Sequence, residues 1–91
     1  MYYVYILTNF KKTVLYIGFT GDLIERMLQH KTGKVKGFTQ KYKANILIYY
    51  EQFKDVYEAK AREKSMKKWN RACKEELINK SNPEWKEIMI M

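Results

Sequence analysis

The sequence predicts an α+β domain: a small three-stranded sheet containing an antiparallel pair, flanked by helices, in the order ββαβαα. Three observations lead there. Short runs rich in β-branched and aromatic residues lie near the N-terminus and again at residues 46–50. Apolar residues recur with helical spacing across residues 22–31 and 56–69. At 91 residues the chain suits one domain, spanning residues 1–91, because two independent cores would each be too small.

Residues 2–8 read as the first strand, residues 9–12 (Asn-Phe-Lys-Lys) as a turn, and residues 13–19 as the second strand. Residues 22–31 form a helix, with Asp22 and Glu25 spaced as a capping box and Gly33 just beyond its end. Leu23, Ile24, Met27 and Leu28 make its apolar stripe, flanked by a polar line through Asp22, Arg26 and His30. That line lets Arg26 and His30 project near the sheet without entering the core. Residues 32–44 read as a basic loop, and Ile46 to Tyr50 as the third strand. A second helix covers residues 56–69 behind the cap Asp55, and a third covers residues 71–80. Asn82-Pro83-Glu84 opens a short terminal turn or helix.

A four-residue hairpin loop would set Thr8 opposite Thr13, and counting outward then sets Tyr5 opposite Tyr16. Directly opposed residues of an antiparallel pair share a sheet face, so the two phenols would stand side by side. An ordinary aromatic cross-strand pair would look the same. On the second helix the inward stripe runs Val56, Ala59, Glu63, Met66. A carboxylate there is costly unless it meets a cation. Either Glu63 pairs with a neighbouring Lys or Arg, or it is a metal-binding group.

Composition narrows the partners. Hydrophobic residues at 46% and aromatics at 15% support a folded core rather than a disordered chain. The lone Cys73 rules out an internal disulfide and a cysteine metal cage, and it suits a reducing compartment. No apolar run approaches the roughly 18 residues of a membrane span, and no signal segment opens the chain, so a cytoplasmic protein is expected. Eighteen Lys and Arg against ten Asp and Glu give +8. Lys31, Lys34, Lys36, Lys41 and Lys43 fall with no acid between them and interleave with Phe38 and Tyr42. That pattern is a candidate nucleic-acid-binding surface.

In order, Tyr3-Val4-Tyr5, Tyr16-Ile17-Gly18, Arg26, His30 and Glu63 resemble the GIY-YIG nuclease domain, most closely its short stand-alone bacterial members. Tyr3 stands where the family name has Gly. The resemblance implies a divalent-metal-dependent endonuclease that hydrolyses phosphodiester bonds in DNA, branched or nicked structures included. It implies that Glu63 holds a single Mg²⁺ or Mn²⁺ ion and that Arg26 contacts the scissile phosphate. Tyr5 and Tyr16 would position or deprotonate the attacking water, His30 would assist proton transfer, and Gly18 would let the strand pass close to the site. Asn70 and Asn79 are candidates for an asparagine that many members carry after the metal Glu. A nucleic-acid-binding module with little activity, or a subunit whose protein partner supplies specificity, are the alternatives.

Overall fold

The computed structural model describes residues 1–35 and 37–90. Its elements are β1 (Tyr2–Thr8), β2 (Leu15–Thr20), α1 (Leu23–Lys31), α2 (Phe38–Tyr42), β3 (Ile46–Phe53), α3 (Val56–Lys67) and α4 (Arg71–Ser81). The sheet is antiparallel throughout, in the order β2-β1-β3.

The central strand β1 is covered on both faces, which is why its sequence is nearly continuous in apolar and aromatic residues. Val4 and Ile6 point to a cluster with Ile17, Ile48, Ala59, Met66 and Ile78, under α3 and α4. Tyr5 and Leu7 point the other way, to Leu23 and Met27 of α1 with Ala44 and Leu47. Between Ile6 and Leu7 the pairing with β3 jumps from Tyr49 to Leu47, a bulge that accommodates Ile48 as an extra residue. Ile48 and Tyr49 thereby serve the same cluster, while Leu47 serves the opposite one. The outer edge of β3 is covered by the C-terminal segment, where the Ile88 amide donates to the Leu47 carbonyl at 2.8 Å and the Asn82 side-chain amide donates to the Ile48 carbonyl at 3.0 Å.

Two expectations are corrected. Tyr5 does not face Tyr16: it pairs with Gly18, Tyr16 pairs with Leu7, and Thr8 pairs with Leu15. The hairpin loop is longer than four residues because Asn9 closes it with its side chain. The Asn9 carbonyl oxygen accepts from the Thr13 amide at 2.8 Å, and its amide donates to the Thr13 hydroxyl at 2.8 Å. Thr13 and Val14 are thereby withdrawn from the ladder. The offset is two residues, and side chains alternate with period two, so Tyr5 and Tyr16 keep the same face. The basic loop also contains a helix, α2, where none was expected.

The helix starts follow local chemistry. The carboxylates of Asp22 and Asp55 accept amides of Glu25 and Tyr57 at the first turns of α1 and α3, and the Asn70 side chain accepts the Cys73 amide at the start of α4. Asn70 is therefore a helix cap, and Asn79 accepts the Trp85 indole N–H at 2.7 Å.

Candidate functional site

Gly18 is where the site begins. A Cβ at this position would lie 2.3 Å from both Cζ and the hydroxyl oxygen of Tyr5. The Tyr5 ring therefore lies across β2, in space that any side chain at position 18 would fill. Since β2 is an edge strand, the phenol is carried towards the rim of the sheet. The close approach at Gly18 is to the Tyr5 ring.

Tyr5 is 1% exposed and His30 6%, so His30 is buried rather than projecting beside the core. The Tyr5 hydroxyl and His30 Nε2 are 3.2 Å apart, and His30 Nδ1 lies 3.2 Å from the Thr39 hydroxyl on α2. Every polar atom of this buried chain has a partner. The Tyr16 ring is 5.9 Å from the imidazole and 6.4 Å from the Tyr5 ring.

Electrostatics tie Arg26 and Glu63 to the same place. Burial pushes the Tyr5 phenol well above its ordinary value near 10; Tyr16 and Glu63 add to the rise, and the Arg26 charge opposes it. Burial lowers the His30 imidazole below 6.5, and Arg26 lowers it further. Both groups are thus neutral at pH 7. Arg26 makes no ion pair among the described residues. Glu63 sits partly exposed at the edge of the α3 stripe, 3.3 Å from Lys67 one turn on. Glu63 pairs with Lys67 and its charge is also felt at the Tyr5 phenol, so the two readings of Glu63 are not exclusive.

The residue before Glu63 ties α3 to β3. Arg62 donates from Nε and a terminal nitrogen to the Glu51 carboxylate at 2.9 Å each, and Glu51 also accepts the Tyr49 hydroxyl. The guanidinium lies 5.0 Å from the Trp69 ring centroid. This two-point grip on β3 sets the rotation of α3 against the sheet.

Tyr16 opens outward. It lines a groove of about 270 Å³ with Leu15, Ile17, Phe38, Lys67 and Lys74. The predicted nucleic-acid-binding lysines divide. Lys34, Lys41 and Lys43 are exposed. Lys31 is held by Glu87 and lines a separate apolar recess with Ile24 and Leu28. Lys36 lies outside the described residues. Thr39 escaped the sequence reading; Lys67 and Lys74 belong to the basic run from Lys60 to Lys74 that the sequence marks as suited to a nucleic-acid backbone, but only the structure brings them beside Tyr16.

Among the described residues no three His, Cys, Asp or Glu side chains gather to cage a metal ion. One partly exposed carboxylate beside an open groove instead fits a hard divalent ion that keeps most of its water shell.

A family model for the GIY-YIG catalytic domain matches residues 1–83. A UPF0213 protein from Staphylococcus haemolyticus is 34% identical over 77 residues, covering 85% of this chain and 93% of that protein. A UPF0213 protein from Clostridium perfringens is 38% identical over 79 residues, covering 87% and 84%. The solution structure of a UPF0213 protein from Bacillus halodurans superposes with a TM-score of 0.60 at 29% identity, covering 93% of this chain and 90% of its own. The match runs from β1 through α4 with the paired tyrosines inside it, and the chain belongs to the GIY-YIG catalytic domain family of nucleases.

Proposed function

We propose that this protein is a divalent-metal-dependent endonuclease that hydrolyses phosphodiester bonds in DNA. The observation that carries the reading is the packing of Tyr16 and His30 on the buried Tyr5 phenol, where the charges of Arg26 and Glu63 are also felt. Arg26, which has no carboxylate partner among the described residues, supplies a positive charge to the non-bridging oxygens of a bound phosphate. Tyr16, on the wall of the open groove, is placed to orient or deprotonate the attacking water. Tyr5 stays neutral, so it serves as a hydrogen-bonding group rather than a base. With the His30 proton on Nδ1, Tyr5 donates to Nε2; with it on Nε2, Tyr5 accepts and its own O–H is released to the site. Thr39 accommodates either arrangement, accepting from Nδ1 in the first and donating to it in the second.

Glu63 would hold the metal ion, which when bound supplies Lewis-acid stabilisation of the charge developing on phosphate. The Lys67 pair offers little resistance: an exposed i,i+4 pair is worth roughly 0.3–0.5 kcal/mol, much less than a divalent ion gains from a carboxylate. The open groove and its lysines suit a polyanion. The exposed Lys34, Lys41 and Lys43 extend the basic surface.

Glu63→Gln tests the reading. It should leave the thermal midpoint within about 2–4 °C, the shift expected for losing a pair of this kind. Mn²⁺ affinity should be lost, and cleavage should fall by about two to four orders of magnitude, since the ion supplies several kcal/mol and 1.36 kcal/mol is tenfold. Unchanged Mn²⁺ affinity and unchanged cleavage of labelled DNA would leave Glu63 as nothing more than the partner of Lys67.

A further inference from the structure

Of the exposed aromatic side chains outside both hydrophobic clusters, two lie beside the site. Phe38 and Tyr42 of α2 are 42% and 43% exposed, and neither packs into the core on either face of the sheet. Their rings are 4.8 Å apart. Phe38 in turn stacks on Tyr16, with centroids 6.0 Å apart and planes 26° apart. An unbroken aromatic series thus runs from buried Tyr5 and His30 through Tyr16 to two half-exposed rings. Helix α2 is tied to the site from within, because Thr39 meets His30.

Charge surrounds those faces. The Lys41 ammonium lies 5.4 Å from the Tyr42 ring centroid, and Lys67 and Lys74 share the groove with Tyr16 and Phe38. Flat π surfaces flanked by cations match an unstacked nucleobase and its phosphates: the base stacks on the ring and the backbone meets the lysines. A base inside an uninterrupted duplex already has both faces covered and cannot occupy such a surface.

We infer that Phe38 and Tyr42 form a nucleobase-stacking subsite at the mouth of the groove, which takes one unpaired base adjoining the phosphate held at the site. The inference rests on the nuclease reading and narrows it to DNA with an unpaired nucleotide at the point of cleavage. Phe38 and Tyr42 are specificity-determining residues that touch the substrate away from the reacting atoms.

The test uses the full chain and short oligonucleotides carrying 2-aminopurine, single-stranded or fully duplex, in chelator so that binding is read without cleavage. Binding of the single strand should quench 2-aminopurine, and the single strand should bind more tightly than the duplex. Phe38→Ala and Phe38→Leu should each weaken single-strand binding roughly 5- to 150-fold, the range for losing one stacked base, and abolish quenching. Phe38→Trp should keep both, and duplex binding should change little in all three. Leucine retains apolar bulk without a π face, so a thermal midpoint near wild type excludes loss of fold as the cause. Single-strand affinity and quenching unchanged in Phe38→Leu, with wild type still binding DNA, would overturn the subsite and leave the nuclease reading standing. Failure of the wild type to bind either oligonucleotide would overturn both.

Discussion

Replacing Gly18 with alanine puts a methyl group where the Tyr5 ring already lies, 2.3 Å from Cζ and the hydroxyl oxygen and 2.7 Å from Cε2. Gly18 is not one of the positive-φ glycines, Gly33 and Gly37, so the backbone itself tolerates alanine and the whole effect is contact. The ring cannot yield cheaply, because it is buried in the central strand and its hydroxyl is bonded to His30. Overpacking of this kind costs about 1–3 kcal/mol, and separating a buried hydrogen-bonded pair costs about 1–3 kcal/mol more. The two overlap, so Gly18→Ala should lose about 2–4 kcal/mol. At roughly 4–8 °C per kcal/mol for a domain of this size, the thermal midpoint should fall by about 8–32 °C. A domain of this length holds about 5–14 kcal/mol in total, so the variant remains folded in the cold. Tyr5→Leu removes all three crowded atoms. In that background Gly18→Ala should cost almost nothing, giving a coupling of about 2 kcal/mol or more in a double-mutant cycle read by urea unfolding. Additive losses, within about 0.5 kcal/mol, would refute the contact as the reason for glycine.

The remaining expectations concern protons and salt. The folded state holds His30 below its ordinary 6.5, so the unfolded chain takes up that proton first as pH falls. Stability should be fully present above about pH 6.5 and decline below it; His30→Asn should lower the curve but remove this part of its slope, and an unchanged slope between pH 7 and 5.5 would refute the assignment. Replacing Lys41 and Lys43 together with glutamine should weaken binding to all DNA sequences about equally and flatten the log–log salt slope by about 1.4–1.8. A salt-independent affinity in the wild type would point to a protein partner instead.

Much of this molecule could be read from its residues alone because the signals are local. The β-branched and aromatic strand runs, the α3 stripe and the caps Asp22 and Asp55 depend on neighbours within a turn or a strand pair, and the structure reproduces them; of the α1 stripe it buries Leu23 and Met27 but leaves Ile24 and Leu28 exposed, where His30 goes inward instead. Even the misread hairpin put Tyr5 and Tyr16 on the correct face, since a shift of two residues preserves side-chain parity. The anomaly at Glu63 was visible as a carboxylate interrupting an apolar stripe.

Tertiary structure decided the rest. Asn9 withdraws Thr13 and Val14 from the ladder through side-chain bonds that no strand propensity encodes. Helix α2 has only five residues, too few to be stable by itself, and it persists because Thr39 meets His30 and Phe38 stacks on Tyr16. The burial of His30, the crossing of the Tyr5 ring over Gly18, and the grip of Arg62 on Glu51 join residues 11 to 25 positions apart. Periodicity reports which face a side chain takes, whereas the distance between two such faces is set only when the sheet and helices close on one another.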